Sequence, residues 1–139
     1  MKTDAEAMAE ILATPLYHAF ARMESNCDVN AENPKSSAKG IFQLIKATRE
    51  ALGVTNWRSP AQQLEALKHL LKRNKEVFQT EDPEKLYAAH YLGEPTYQKL
   101  LHDKELTEGQ QQIVDYFMHK VAPRFNEIVA EVYGSGGIR

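Results

Sequence analysis

The sequence holds a single cysteine, Cys27, so an internal disulfide framework is excluded and the fold stands on packing alone. No apolar run approaches the roughly 18 residues of a membrane span, so no transmembrane helix is expected. The first residues, Met1 to Glu6, lack the apolar stretch of a secretory signal, and Glu6 and Glu10 interrupt the apolar residues that follow. Charge of one sign is also missing: 17 Lys+Arg stand against 19 Asp+Glu, a net charge of −2. No basic excess is available to hold nucleic acid or an anionic membrane surface, so neither is an expected partner. With 7 glycines and 6 prolines the chain is neither collagen-like nor low in complexity. His18, His69, His102 and His119 share no metal-ligand spacing with one another or with Cys27, no HExxH occurs, and no Gly-rich phosphate loop precedes a helix. Neither a metal nor a cofactor is therefore expected. What remains is 139 residues, 42% of them hydrophobic and 26% charged, the composition of one ordinary globular domain.

Helical periodicity fills most of that chain, and the helix starts are legible. Thr14-Pro15 reads as an N-cap with proline at the first helical position, opening a helix through Leu16, Tyr17, Phe20 and Met23. Ser59-Pro60-Ala61-Gln62 reads as a capping box ahead of Ala61, Leu64, Leu67 and Leu71 on one face. Asp82-Pro83 opens a helix carrying Leu86, Ala89 and Leu92; Pro95 starts a short one through Leu101. Thr107 with Gln110 forms another capping box, before Ile113, Val114, Phe117 and Val121. Pro123 is expected to kink or break that segment, and a last helix through Phe125, Ile128 and Val132 should end at Gly134. Residues 134–139 then read as a flexible tail. Lys68, Lys72, Arg73 and Lys75 read as a solvated face. The fold class is all-α, roughly seven short helices. The exception is a polar excursion over 26–40, rich in Asn, Ser and Lys, expected as a long ordered loop with a minimal hairpin. Loops of this length in a compact domain are usually functional.

The excursion begins at Glu24-Ser25, in the last turn of the helix opened by Pro15. Tyr17 and Phe20 lie seven and four residues earlier, on the same helical face. The negative end of the helix macrodipole and aromatic neighbours that strip water both raise a carboxyl pKa, which suits a general acid. The bland alternative is a solvated glutamate at a helix end.

The residues downstream change that balance. Glu24-Ser25 is followed by Asp28-Val29-Asn30-Ala31, by Ser37-Ala38-Lys39-Gly40-Ile41-Phe42-Gln43, and by Thr48 five residues on. A third block reads Ala89-His90-Tyr91-Leu92-Gly93. This series resembles the soluble lytic transglycosylase family of the lysozyme-like superfamily over about residues 15 to 95. The family's third block is Ala-Tyr-Asn-x-Gly, so His90 and Tyr91 depart from it. The wording from Leu86 to Gly93 resembles a phage branch.

The resemblance implies an α-rich lysozyme-like fold over 1–133 and cleavage of the β-1,4 bond between N-acetylmuramic acid and N-acetylglucosamine in peptidoglycan. It makes Glu24 the single acid and base, with the muramic C6 hydroxyl closing a 1,6-anhydro ring. A hydrolytic lysozyme, with Asp28 or Glu32 positioning water, is one alternative. A catalytically idle wall-binding or virion domain is another. The resemblance assigns substrate contacts to Ser37, Gln43 and Ile45. Their alternatives are a turn or cap residue, an amide that holds the loop, and plain core. His90 could orient Glu24 and should then be a neutral imidazole, since a cation beside the acid would lower its pKa. Tyr87, three residues earlier, could reach the same site, and Tyr91 could line the cleft. Ser25, Gly40, Thr48 and Gly93 complete the motif as structural residues, Gly40 through close approach or a positive φ. Cys27 fits burial better than nucleophilic chemistry. With no signal sequence read, delivery to the wall would fall to a phage particle, a holin-type lysis system or a secretion machine, whose proteins would be further partners.

Overall fold

The computed structural model describes residues 2–135. Among them the chain forms eight α-helices: α1 (Asp4–Ala13), α2 (Pro15–Ser25), α3 (Lys46–Ala51), α4 (Pro60–Phe78), α5 (Pro83–Leu92), α6 (Glu94–Leu101), α7 (Glu108–Tyr116) and α8 (Ala122–Ser135). A π-helical turn, Phe117–Val121, joins the last two. The all-α expectation holds. No helix among the described residues is long and apolar enough to cross a membrane.

Most starts follow the caps read from sequence, with instructive exceptions. Thr107 and Gln110 satisfy each other as a full capping box. Ser59 accepts from the Gln62 amide, but the Gln62 side chain turns away and accepts instead from the Thr55 and Asn56 amides. That helix start is thus half a capping box, and the other half ties down the preceding loop. Thr14 precedes Pro15 without any side-chain cap, while Thr3 and Glu6 form a box that opens α1.

Pro123 does not end the segment, which runs on into α8. The helix widens just before it: the Ala122 amide donates to the Phe117 carbonyl, five residues back. The wider turn absorbs the residue whose ring and missing N–H would disrupt a regular one, and proline then sits in the first turn of α8. α8 continues to Ser135, so Gly134 and Ser135 are helical rather than tail. Residues 136–139 of the expected tail lie outside the described residues.

α2 is the axis of the core. It packs on α1 and α8, and α5 packs on α4, α6 and α8. Where they meet, the fully buried Tyr87 of α5 stacks on Phe125 of α8 at 4.2 Å, and Phe20 of α2 meets Tyr87 edge-on at 5.1 Å. Such pairs add about 0.5–1.5 kcal/mol each beyond the area they bury. The aromatic cluster therefore fixes the C-terminal half of α2, where Glu24 sits, against α5, where the third block sits.

The excursion after α2 is ordered by polar pins. Its hairpin is reduced to two isolated antiparallel bridges, Glu32 to Lys39 and Lys39 to Leu44. The Ser25 hydroxyl donates to the Ile41 carbonyl at 2.7 Å, holding the loop to the end of α2. From beneath, the buried Gln63 of α4 accepts from the Phe42 amide and donates to the Lys39 and Trp57 carbonyls. Gly40 lies at φ +86, and a Cβ there would stand 2.3 Å from the Gln63 amide nitrogen. Only glycine lets the loop close onto that amide.

Candidate active site

An open cleft of about 550 Å³ runs between the loop on one side and α4 and the end of α5 on the other. Glu24 reaches it from the last turn of α2, with its side chain only 18% exposed. Burial pushes its carboxyl pKa up to about 8; the hydrogen bond from the Tyr87 hydroxyl, at 3.4 Å, pulls weakly the other way. The group is therefore protonated at neutral pH, the state a general acid needs.

His90 stands beside it, with Nε2 3.9 Å from Glu24 Oε2. That is beyond hydrogen-bond range. Burial lowers the imidazole pKa to about 4, so at neutral pH an uncharged ring faces an uncharged acid and no ion pair forms.

The cleft gathers most of the residues singled out from sequence. Gln43, Ile45, Thr48, His90, Tyr91 and Gly93 line it with Glu24. Ile45 is half exposed and Tyr91 38% exposed, both available to a bound sugar. Gln43 sits at a left-handed φ of 52, and its amide nitrogen donates to the Ala31 and Gly40 carbonyls. It thus holds the loop and lines the cleft at once. Gly93 turns the chain from α5 into α6 at φ +85.

Two assignments change, and one alternative lies off the cleft. Tyr87 is buried at 1% exposure and does not line the cleft, so it supports Glu24 from the core rather than touching substrate. Ser37 accepts from the Lys46 amide at 3.0 Å and lies outside the cleft lining, so its hydroxyl ties the loop to the start of α3. Asp28 and Glu32 lie outside it too: Asp28 accepts from the Asn30 amide, and Glu32 pairs with Lys39 at 3.1 Å. Neither lines the cleft with Glu24.

The structure adds Arg73, which the sequence reading left on a solvated face, and Asn74, which it did not single out. Arg73 and Asn74 of α4 line the cleft opposite the loop. Arg73 clamps Glu94, at the start of α6, through Nε at 2.9 Å and Nη2 at 3.1 Å. Glu94 is the second carboxylate on the cleft, and this two-point pair occupies both its oxygens. An arginine followed by asparagine on a basic stretch carries no periodic signal that would separate it from its solvated neighbours.

Cys27 is half-buried, and burial raises its thiol pKa, which disfavours nucleophilic chemistry. No group of three or more His, Cys, Asp or Glu among the described residues is placed to hold a metal ion. Trp57 is covered by Arg58 at 4.0 Å and Lys39 at 5.2 Å and does not line the cleft.

Neither a curated protein nor a solved structure matches the chain. A family model, the transglycosylase SLT domain, matches residues 3–112. That stretch holds the whole cleft, from Glu24 through Gln43 and Arg73 to Glu94. The chain belongs to the SLT family of lytic transglycosylases, lysozyme-like glycosidases that cleave peptidoglycan.

Proposed function

We propose that Glu24 performs both proton transfers of a cleavage that consumes no water, at the β-1,4 bond between N-acetylmuramic acid and N-acetylglucosamine. Protonated Glu24 gives its proton to the glycosidic oxygen as the bond to the muramic C1 breaks, and N-acetylglucosamine leaves with its hydroxyl restored. The substrate's own acetamido group stabilises the electron-poor C1. Glu24, now a carboxylate, takes the proton of the muramic C6 hydroxyl, and the C6 oxygen bonds to C1. The product carries a 1,6-anhydro ring, and Glu24 returns to its acid form.

One observation carries this reading: the cleft holds one protonated, unpaired carboxyl, and its other carboxylate, Glu94, is spent on Arg73. A two-carboxylate hydrolase needs a second free carboxylate across the bond. Neutral His90 leaves the Glu24 proton in place, and Gln43 and Ile45 offer an amide oxygen and an apolar side chain to the sugar. Delivery by a phage particle belongs to the same proposal and rests on the wording of residues 86–93.

Digestion of purified sacculi by the wild type and by Glu24→Gln tests the role of Glu24. Solubilisation by the wild type and none by the variant is expected. Equal solubilisation by both would overturn the reading, and binding to sacculi with turnover by neither would favour an idle wall-binding domain.

A further inference from the structure

Tyr91 lines the cleft and is 38% exposed. The π-helical turn between α7 and α8 sits against it: Phe117 is buried at 4% exposure and holds its ring 5.1 Å from that of Tyr91 and 6.2 Å from that of Tyr87. Phe117 thus backs the Tyr91 ring from the core side. The residue before it, Tyr116, is 59% exposed, and Ile113, one turn earlier, is 51% exposed. Tyr116 precedes Phe117 in the chain, so an exposed phenol lies one residue from the ring that backs Tyr91. Tyr116 and Phe117 fall beyond residues 3–112, so this outer ring is supplied by a part of the chain that the family match does not reach.

Exposed tyrosine suits a sugar ring: the apolar face of a hexopyranose lies flat on the aromatic face, and the rigid side chain loses little entropy. A π-turn is also a common device for aiming a side chain at a functional site. A polymeric substrate that fills the cleft must run out past its rim, and Tyr91 and Tyr116 are the exposed aromatic side chains among the described residues. The ligand is the same glycan strand, so this inference rests on the cleft being its binding site.

We propose that the glycan-binding surface extends from the cleft over Tyr91 onto Tyr116, where an N-acetylhexosamine ring of the strand stacks on the phenol. Tyr116 is a specificity-determining residue that lets the enzyme favour long strands over short ones.

The test uses peptide-free glycan oligomers of two lengths, one that fills the cleft and one several sugars longer. The readout is the ratio of kcat/KM on the long oligomer to kcat/KM on the short one, for wild type, Tyr116→Ala and Tyr116→Phe. Tyr116→Ala is expected to lower that ratio about tenfold, through KM, in line with the loss of one ring–ring stack. Tyr116→Phe keeps the ring and should retain the wild-type ratio. An unchanged ratio in Tyr116→Ala would overturn the proposal, as would an equal loss on both lengths. A wild type that cleaves neither oligomer yet is held on insoluble glycan would overturn the catalytic role of Glu24. Retention that is the same for Tyr116→Ala would then overturn the stacking site as well.

Discussion

Tyr87 donates to Glu24 the one side-chain hydrogen bond that this carboxyl receives among the described residues, at 3.4 Å, from a ring that is itself locked between Phe20 and Phe125. The support and the acid belong to different helices, α5 and α2, and the aromatic core sets the distance between them. Tyr87→Phe keeps the ring contacts and removes the donor. Because that bond favours the charged form of Glu24, its loss should push the Glu24 pKa higher still. The alkaline limb of the pH–rate profile should move up by a fraction of a unit, with little change in melting temperature. A limb that moves down would contradict the placement of the bond.

The wild-type pH profile follows from two groups. Glu24 must carry its proton, so kcat/KM should fall above about pH 8. His90 must stay neutral, because its cation would draw the proton off Glu24, so activity should also fall as pH drops toward about 4. A turbidimetric assay on sacculi across this range should give a broad plateau between the two limbs. A profile that declines steadily from pH 5 upward would mean that Glu24 is an ordinary solvated carboxyl.

The same burial sets a stability cost. A glutamate whose folded pKa is raised from 4.5 to about 8 binds more protons folded than unfolded over that interval. The fold therefore loses stability from this group as pH rises from 4.5, and the loss levels off above about 8. Glu24→Gln removes the titration. Its melting temperature should match the wild type near pH 4.5 and exceed it at pH 8 by roughly 5 °C or more. A constant difference at all pH values would contradict the burial of this carboxyl. For His90 the sign reverses: its lowered pKa costs stability as pH falls from 6.5 toward about 4.

From beneath, the loop wall of the cleft is held by the Gln63 amide. Gln63→Ala leaves the Phe42 amide and the Trp57 carbonyl without a partner and the Lys39 carbonyl with the Leu44 amide alone, at a cost of about 3 kcal/mol. Gly40→Ala drives a Cβ into that same amide and strains a positive φ, at about 2–4 kcal/mol. Both act on one contact, so chemical denaturation of the double variant should show less than the sum of the two losses. Full additivity would mean that the two residues do not share the contact.

Much of this was legible in the residue order, and the parts that were not share a physical cause. Thr107 with Gln110, Asp82-Pro83 and the apolar periodicity place helices because caps and faces are local properties. Glu24 was singled out by the motif that follows it, since its helix-end position alone is equally that of a solvated glutamate, and the aromatic hydroxyl that reaches it comes from α5. Gln63 was hidden: it lies between Gln62 and Leu64 on a helix whose apolar face was clear, and only the loop folding onto it makes its amide a keystone. Tyr87 and Ser37 were misassigned for a related reason. Each lies near Glu24 or the motif, but whether a side chain faces the cleft or the core depends on helix packing between distant segments. The ion pair of Arg73 with Glu94 spans two helices, and no spacing along the chain announces it. Pro123 was read correctly as a disturbance, yet its consequence was a wider turn upstream rather than a break.

The central claim, that one glutamate cleaves the strand without water, is tested most directly by the mass of the new chain ends. Muropeptides released from sacculi by the wild type should end in 1,6-anhydro-N-acetylmuramic acid, lighter by one water than the reducing ends that hydrolysis would leave. Reducing N-acetylmuramic acid ends as the main product would contradict it.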